Sequence, residues 1–474
     1  MEFHAWAPLF YFPRRYLKLT TCINNLHYEK FQDGTVKCIE DEIPFEVPEG
    51  WAWCRLNDIY NFIDYRGATP TKITNGIPLV TAKNVKSGYI DYTIDDYISE
   101  EEFKERQQRG ISKKGDILFT TEAPLGNAAL ADMEKFSAGQ RLITFQQYGS
   151  KNELINYVML MFILSDFFQQ QLYVNKTGST VAGIKAAILK TLWIPVPPYN
   201  EQLRISNTLK SAINLIDSIS KNKEILSTSI SNTKSKILDL AIRGKIVPQD
   251  PNDEPASVLL ERIRAEKEEL IKQGKIKRDK KESVIFKGDD NSYYGIHLPD
   301  SWNWASLREI ALSISDGSHN PPPNNGSGIP LLSAANINDN SILMNEISRW
   351  ITNEEWKIEN QRTNIEVGDV LLTIVGSIGR SAVVQNNNHF ALQRSVAVIK
   401  PCLINPLYLM HIVQSPQIQK WLTDNSKGTA QKGIYLNALS LMIIPIPPLA
   451  EQARIVELIH IAYKQLDLIS NALL

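Results

Sequence analysis

Carboxylates, histidines and a lysine are the side chains that metal-assisted hydrolysis would need, because together they can hold a divalent ion. Asp300 followed by Glu355-Trp356-Lys357 loosely mimics the spacing found in nucleases. Asp300, however, lies in a strand-opening turn whose partner in an internal repeat is Glu49, and the Glu-Trp-Lys segment has no counterpart. The seven histidines are scattered without metal-ligand spacing. We therefore expect neither a nuclease centre nor a metal site.

Two proline pairs raise the question of methyl transfer to an amino group. The segment VPPYN (196–200) is similar to the Asp/Asn-Pro-Pro-Tyr/Phe motif, whose first side chain must accept a hydrogen bond from the target amino group. Val196 cannot accept one, and the second copy, IPPLA (446–450), also lacks the stacking aromatic ring. No glycine-rich cofactor loop follows a strand nearby, and there is no Walker loop for ATP. The residues predict a chain without a catalytic constellation.

Composition is that of a globular protein with two or three domains. The 474 residues are too many for one core, and 43% hydrophobic with 22% charged residues is ordinary. No apolar run approaches the roughly 18 residues that span a bilayer, and the basic residues of the opening MEFHAWAPLFYFPRR follow its apolar stretch, which is the wrong order for a secretory signal. Four cysteines without metal or disulfide spacing favour the cytoplasm. Because the net charge is −1, any nucleic-acid binding must come from a local basic face.

The chain repeats itself once, and this repeat predicts the architecture. Five blocks recur in the same order at offsets that drift only from 250 to 253. The pairs are 175–205 with 425–455, 48–59 with 299–310, 76–85 with 328–337, 115–126 with 368–379, and Gln140-Arg141 with Gln393-Arg394. The first pair shares the pattern I-P-x-P-P-x-x-E-Q-x-R-I. A unit of roughly 150 residues therefore occurs twice, and each copy is followed by a helical segment.

Each unit has the pattern of an α+β domain that opens with a tryptophan-rich strand. GDILFTT, RLITFQQY and SVAVIKP are short β-rich runs bounded by glycine and polar residues. The segments 153–173 and 407–422 have the character of helices. We expect the tryptophans at 51, 53, 302 and 304 to pack in the cores.

Apolar residues after each proline pair are spaced as in a coiled coil, alternating steps of four and three. The first seam comprises Ile205, Leu209, Ala212, Ile216, Ile219, Lys223, Leu226, Ile230, Thr233, Ile237 and Leu240, with two polar interruptions. The second comprises Ile455, Ile459, Ala462, Leu466, Ile469 and Leu473. We expect the two seams to pair with each other; the alternative is that each helix packs on its own domain. Gly244 and the following prolines should end the first helix, before a charged helix, ASVLLERIRAEKEELIKQG, and a basic linker, KIKRDKKES.

Taken together, these motifs resemble the specificity subunit of type I restriction–modification systems. Two α+β units, each ending in PxPPxxEQxRI and a zipper helix, fit that family, and residues 237–263 are similar to its central conserved region nearly residue for residue. GSTVAGI and GTAQKGI also fit, and the resemblance covers about residues 48–474.

The resemblance implies a fold, a function and a set of partners. The fold class is α+β, with two tandem-duplicated target recognition domains joined by long antiparallel coiled-coil helices. Each domain would read one half of a split, asymmetric site on double-stranded DNA, and the helices would act as a ruler and dock two methyltransferase subunits. Endonuclease/translocase subunits would join the full complex. S-adenosylmethionine, magnesium and ATP would belong to those partners, so no cofactor is expected in this chain, and no membrane partner is expected.

Four loops in each unit are expected to contact DNA, since glycine allows a close backbone approach and lysine or threonine can meet phosphate. Arginine, asparagine and glutamine can match guanine or adenine edges. In each case the alternative is a solvated turn. The expected contacts are Arg66, Thr69, Thr71, Lys72, Lys83, Asn84, Arg141, Lys176, Thr177 and Ser179 in the first unit, and Ser318, His319, Asn320, Asn336, Arg380, Arg394, Lys427, Thr429, Gln431 and Lys432 in the second.

These patterns predict five segments. They are an N-terminal extension (1–47), a first recognition domain (48–199), a central helical spacer and linker (200–284), a second recognition domain (285–448) and a short distal helix (449–474). The distal helix is about twenty residues shorter than its central counterpart, and the first forty residues resemble neither repeat closely. We therefore expect an asymmetric ruler or a truncated or recombined form of the subunit.

Two other functions stay open at this point. One is a two-headed coiled-coil scaffold for proteins that never touches DNA. The other is a methyltransferase fused to its own recognition domain. DNA binding in the presence of a partner methyltransferase would separate both from a specificity subunit.

Overall fold

The computed structural model describes residues 28–31, 33–65, 69–93, 96–148, 154–178, 182–278, 292–428 and 432–473. The chain divides into two units, Met1–Ser218 and Ile219–Leu474, and each is considered by itself. Both units mix helices and strands, which agrees with the predicted α+β class. The basic linker lies outside the described residues from position 279 onwards.

Short strands form three small sheets and a hairpin in the first unit. Its strands are β1 (Tyr28–Lys30), β2 (Val36–Cys38), β3 (Ala52–Arg55), β4 (Tyr60–Asp64), β5 (Ile77–Val80), β6 (Tyr97–Ile98), β7 (Ile117–Thr121), β8 (Leu125–Leu130), β9 (Ser137–Ala138), β10 (Leu142–Gln147) and β11 (Trp193–Val196). An antiparallel sheet has the order β4-β10-β7-β8, a second sheet has the order β6-β5-β9, β3 pairs with β11, and β1 with β2. Every residue of the central strand β7 is buried, and the hydroxyls of its two threonines, Thr120 and Thr121, donate to backbone carbonyls.

Helices of the first unit pack mainly on one face of the four-stranded sheet. They are α1 (Leu56–Ile59), α3 (Asn156–Leu164), α4 (Asp166–Val174), α5 (Ala186–Leu189) and the start of α6 (Tyr199–Ile242), which continues into the second unit. Helix α2 (Glu100–Arg106) instead packs on β5 and β6 through Phe103. The segment 153–173 was expected to be helical, and it is, but as two helices separated at Ser165. The Ser165 hydroxyl accepts a hydrogen bond from Phe168 N and caps α4. The break lets Met159 of α3 and Phe168 of α4 both join the core around Phe119.

The second unit repeats this plan with more elements. Its strands are β12 (Ser292–Tyr293), β13 (Ile296–His297), β14 (Asn303–Ser306), β15 (Ala311–Asp316), β16 (Ile329–Leu332), β17 (Ile337–Asn338), β18 (Ser341–Ile342), β19 (Trp350–Ile351), β20 (Val370–Thr373), β21 (Ser381–Val383), β22 (Ala391–Leu392), β23 (Val396–Pro401) and β24 (Ile443–Ile446). Its further helices are α7 (Ala256–Lys272), α8 (Leu307–Ile310), α9 (Asn353–Thr363), α10 (Pro406–Val413), α11 (Pro416–Asp424), α12 (Leu436–Ser440) and α13 (Leu449–Asn471). The sheet orders β15-β23-β20-β21, β19-β16-β22 and β14-β24 match those of the first unit strand for strand, as the repeat predicted.

The shared PxPPxxEQxRI pattern fixes the start of a helix on its own unit. Gln202 is buried, its Oε1 accepts from Ile155 N at 2.7 Å, and its Nε2 donates to Pro197 O at 2.9 Å. Gln452 makes the same pair of bonds in the second unit, with Asn405 N at 2.9 Å and Pro447 O at 3.1 Å. A buried amide must satisfy its hydrogen bonds, so this glutamine joins the helix start to the domain in both copies.

Three of the four tryptophans pack in the cores, as expected. Trp53, Trp302 and Trp304 are at most 3% exposed. Trp302 Nε1 donates to the buried Glu451 carboxylate at 2.9 Å. Trp51 is only half-buried and lies edge-on to Phe162.

The first zipper helix ends where the sequence predicted. Gly244 adopts φ +64°, and Lys245 N donates to Leu240 O at 2.9 Å, which closes the last turn. The charged segment that follows forms α7. Its apolar stripe, which includes Leu260 and Ile263, is buried in the core of the second unit.

Within the second unit, the end of α6 lies antiparallel to α13. Lys234 forms an ion pair with Asp467 and accepts a hydrogen bond at its carbonyl from the Tyr463 hydroxyl. Further along the chain, Asp253 pairs with Arg454, so rising numbers on one segment meet falling numbers on α13. The predicted antiparallel helix pair is therefore present over this stretch.

Burial of the predicted seam differs along its length. Ile230, Ile455 and Ile459 are buried, Leu209 and Leu466 are half-buried, and Ile205 and Ile237 pack against the cores of their own units. Ile216, Ile219, Leu226 and Ile469 are 39 to 60% exposed, and every residue from 210 to 229 is exposed. The expectation of pairing along the whole seam is therefore wrong for this middle stretch, because α13 has 23 residues against the 44 of α6.

The described part of the N-terminal extension packs onto the first unit. Ile39 is buried in a cluster with Trp53 and Trp193. Arg55 of β3 forms ion pairs with Glu29 and Glu42 at 3.1 and 3.0 Å. Residues 28–47 therefore share a small core with the domain that was predicted to begin at residue 48.

Candidate nucleic-acid interface

Most of the loops expected to contact DNA lie at the same end of the four-stranded sheet, where some strands finish and their neighbours begin. In the first unit β4 ends at Asp64 and β7 ends at Thr121 on the side where β10 begins, since Leu142 lies opposite Thr120. In the second unit β15 and β20 end, and β21 and β23 begin, at the equivalent side. Antiparallel neighbours bring these strand ends together. We call this side of each unit its loop edge.

Backbone hydrogen bonds tie the loops of the second loop edge to one another. Ser318 N donates to Leu392 O at 2.7 Å and Arg394 N donates to Ser318 O at 2.9 Å, so the loop after β15 lies beside the turn before β23. Gly376 N donates to Lys432 O at 3.1 Å, which joins the β20–β21 turn to the loop after α11. The turn before β23 is also bonded to the end of β20. Loops far apart in sequence therefore form one continuous surface.

The predicted contacts that are exposed on this surface carry a cationic, imidazole or amide group. Arg380 N donates to Thr373 Oγ1 at 2.9 Å, which fixes the turn that carries the arginine. Such side chains can neutralise phosphate and present donors to base edges. The exposed members of the predicted set are His319, Asn320, Arg380, Arg394, Lys427 and Lys432.

Two cations of the predicted set in the first unit, Lys72 and Arg141, form ion pairs that are exposed to solvent. Lys72 Nζ lies 2.7 Å from Asp96, and Arg141 Nε lies 3.0 Å from Glu122. Exposed ion pairs of this kind contribute at most about 1 kcal/mol, so a phosphate group can displace the carboxylate at little cost. Arg141 also adopts φ +65°, and its carbonyl accepts from Thr121 N at 2.9 Å, which holds the turn before β10.

Lys176 and Thr177 occupy the loop that follows α4. Lys176 Nζ lies 3.5 Å from the centre of the Tyr173 ring. Thr177 and Gly183 exchange backbone hydrogen bonds of 2.7 and 3.0 Å, and Gly183 also bridges to Glu122 beside β7. This loop therefore adjoins the loop edge.

Thr69 also lies at the loop edge, because its hydroxyl accepts from the side-chain amide of Gln140, which directly precedes Arg141 in the turn before β10. Two other expected contacts lie elsewhere around the first unit. Thr71 N donates to the Glu102 carboxylate. Lys83 is exposed in the turn after β5. Four further expected contacts, Arg66, Ser179, Thr429 and Gln431, lie outside the described residues.

Two expected amide contacts instead have structural roles within turns. Asn84 and Asn336 are each 3% exposed. Asn84 accepts from Thr81 N and donates to Asp91 O, both at 2.9 Å. Asn336 repeats this arrangement in the second unit. Because both amides are used inside their turns, we leave them out of the DNA-contacting set, and we also omit the side chain of Ser318, which is 6% exposed.

The loosely nuclease-like residues are engaged in the fold. Glu355 accepts from Thr352 N at 2.7 Å and caps α9, and Trp356 Nε1 donates to Phe390 O at 3.1 Å. In the described part of the chain, no group of three or more histidine, cysteine, aspartate or glutamate side chains could hold a metal ion. No described helix is long and apolar enough to cross a membrane.

The sequence did not predict an arginine that each unit places at the base of a loop, the loop after β4 in the first unit and the loop after β15 in the second. Arg362, in the last turn of α9, donates from Nε to Asp316 O at 2.9 Å and forms an ion pair with the Asp316 carboxylate. His319 Nε2 lies 2.8 Å from the other carboxylate oxygen. In the first unit Arg109 Nη1 donates to Asp64 O at 3.2 Å. The same arginine-to-strand contact therefore occurs in both units.

Tyr65 adds a further contact at the base of the first loop. Burial raises the pKa of its phenol, which stays protonated and donates to Gly110 O. Because Gly110 directly follows Arg109, this bond ties the same turn to the end of β4.

Comparisons with known proteins agree with the duplicated fold. The family described as "Type I restriction modification DNA specificity domain" matches residues 48–227 and 299–473. The EcoBI type I restriction enzyme specificity subunit of Escherichia coli is 23% identical over 93% of this chain and 85% of its own length, and the EcoEI subunit is 26% identical over 94% and 83%. In structure, the HsdS subunit from Thermoanaerobacter tengcongensis superposes with a TM-score of 0.52 at 18% identity, covering 90% of this chain and 93% of that one.

A chain from a structural study of assembly and conformational transition in the type I R-M system gives a TM-score of 0.58 at 18% identity, covering 91% of this chain and 94% of that one. At this identity the structural likeness supports the fold. The family match, in contrast, extends over more than half of the sequence and occurs once in each unit. The chain therefore belongs to the family of type I restriction–modification DNA specificity proteins and carries two copies of the family's domain.

Proposed function

We propose that this chain reads a two-part, asymmetric sequence on double-stranded DNA for a type I restriction–modification complex, with one half-site for each unit. The observation that carries the proposal is the duplicated specificity domain, whose loop edge bears cationic side chains in both copies. The chain itself would be non-catalytic.

Local charge supports this role although the chain as a whole is nearly neutral. In the second unit Arg380, Arg394, Lys427 and Lys432 are all exposed on loops that are bonded to one another. Phosphate contacts from such residues give affinity that does not depend on sequence, whereas arginine and amide groups discriminate between base edges. The loop edges would therefore combine affinity for the DNA backbone with discrimination between bases.

The helices would serve assembly. α6 and α13 would hold the two recognition units apart and dock methyltransferase subunits, and an endonuclease/translocase subunit would join the complex. S-adenosylmethionine, magnesium and ATP would be used by those partners. The complex would act in the cytoplasm, where its DNA target lies.

The direct test is a gel-shift with the partner methyltransferase, carried out across a range of salt concentrations. We expect a sequence-dependent shift. The logarithm of the binding constant should fall linearly with the logarithm of the salt concentration, because counterions are released on binding. A complex that assembles with the methyltransferase but binds no DNA would instead support the scaffold. Methylation by this chain in the absence of any partner would support a fused methyltransferase and overturn the proposal.

A further inference from the structure

The loop after β15 starts at a buried aspartate that two side chains hold in place through three contacts. The Asp316 side chain is 9% exposed. One of its oxygens pairs with Arg362 Nη2, the other lies 2.8 Å from His319 Nε2, and its carbonyl accepts from Arg362 Nε at 2.9 Å. A guanidinium that grips both the side chain and the backbone of one residue leaves that residue little freedom. The start of the loop is therefore fixed relative to α9.

Helix α9 is itself anchored, so Arg362 acts from a rigid support. Thr352 and Glu355 form a capping box at its first turn, and Trp356 Nε1 donates to Phe390 O at 3.1 Å. A side chain that orients a base-contacting group needs such support, because a group held only by a loop would not keep a fixed position.

His319 is the group that this arrangement presents. Its side chain is 53% exposed, and only its Nε2 atom is used by Asp316. With the proton on Nε2, where it can be donated to the carboxylate, Nδ1 is a hydrogen-bond acceptor. In the major groove the amino groups of adenine and cytosine are the donors that such an acceptor matches.

The first unit has the arginine but not the histidine. Arg109 donates to Asp64 O at 3.2 Å, at repeat offsets of 253 and 252 from Arg362 and Asp316. The position equivalent to His319 is Gly67, which lies outside the described residues. A support common to both units, combined with a different residue at the presented position, is the arrangement expected when two domains read different sequences.

We propose that Arg109 and Arg362 are positioning residues for the first loop of each unit, and that His319, oriented by Asp316, contacts a base edge in the second half-site. This inference rests on the proposed DNA-reading function and identifies specificity residues within it. Arg362 also balances the charge of Asp316, which would otherwise repel the DNA backbone.

The experiment is selection of preferred sites from a randomised DNA library by the full chain bound to its partner methyltransferase, with the two half-sites scored separately. H319A should lower discrimination at one base pair of the second half-site by about three- to tenfold, the value of one hydrogen bond, without changing the salt slope. H297A is the matched control, because His297 is also an exposed histidine of the second unit. It should leave both half-sites unchanged.

R362K keeps the charge beside Asp316 but loses the planar guanidinium, which bonds the side chain and the backbone of Asp316 at once. The protein should therefore fold, while the second half-site loses discrimination at several positions. R109K should do the same to the first half-site alone. In each variant the untouched half-site reports that the other unit and its assembly with the methyltransferase are intact. An unaltered second half-site in H319A overturns the assignment of His319, and an unaltered half-site in R362K or R109K overturns the positioning role. A wild-type complex that selects no sequence would overturn the proposed function as well, which is a distinguishable result.

Discussion

Lengthening α6 by one heptad tests whether this helix sets the separation between the two half-sites. The variant carries a second copy of residues 219–225 directly after Ile225, which keeps the apolar seam in phase from Ile219 to Leu226. All residues from 210 to 229 are exposed, and the contacts with α13 involve Lys234 and residues beyond it. The insertion therefore leaves the buried cores intact.

The expected change in spacer length follows from the rise per residue of an α-helix and the rise per base pair of DNA. Seven helical residues add about 10 Å at 1.5 Å per residue, which equals about three base pairs at 3.4 Å each. Three base pairs also rotate the second half-site by roughly 100° around the duplex, at 10–10.5 base pairs per turn. Three heptads would add about 32 Å, close to one full turn of DNA, and should return the half-site near its original face.

The assay is site selection with the partner methyltransferase. We expect unchanged half-sites separated by a spacer about three base pairs longer for one heptad, with weaker binding because of the rotation. For three heptads we expect about nine extra base pairs and recovered binding. S220A/N222A, which alters the same exposed stretch without changing its length, should keep the original spacer. An unchanged spacer in both insertion variants would refute the reasoning, since something other than α6 would then hold the recognition units apart.

Three further predictions concern a charge, a buried histidine and a helix end. K176Q should weaken binding to all sequences and reduce the salt slope by about one, since one phosphate contact is lost; a slope equal to wild type would argue against that contact. Burial lowers the pKa of His411 to about 4, so the unfolded state binds more protons below pH 6.5; stability should be constant above that pH and fall by up to about 3 kcal/mol towards pH 4. Urea unfolding should show that H411F removes this loss, and an equal loss in both proteins would contradict the assignment. G244A should destabilise more than G274A in the same assay, since both glycines have positive φ but only at Gly244 would a Cβ meet Pro299, at 2.5 Å; equal losses would refute the steric argument.

The duplicated fold could be predicted because the repeat carries its own internal check. The block GDILFTTEAPLG became β7 and the start of β8, and its partner GDVLLTIVGSIG became β20 and the turn that follows. Matching blocks at nearly constant offsets imply matching strands, and the sheet orders agree. The lengths of the helices were harder to predict from the sequence, because single residues such as Ser165 and Pro416 divide apolar runs that look continuous.

Side-chain roles within the loops depended on contacts that sequence patterns do not contain. Asn84 looked like a DNA contact because it is a polar residue in a turn, but its side-chain amide donates to Asp91 O, seven residues away. The Arg109 and Arg362 contacts reach back 45 and 46 residues to Asp64 and Asp316. A signal was present, since Gln-Arg occurs at 108–109 and again at 361–362, an offset of 253. Only the folded chain shows what those arginines touch.

The central claim is that each unit reads one half-site, and exchange of one unit tests it most directly. Residues 28–199 are replaced by the matching unit of a relative whose target is known; the exchange begins at Tyr28 because Glu29 pairs with Arg55 of β3. Sites are then selected with the partner methyltransferase bound. The account predicts that one half-site becomes that of the relative, while the other half-site and the spacer stay the same. A change in both half-sites, or in neither, would contradict it.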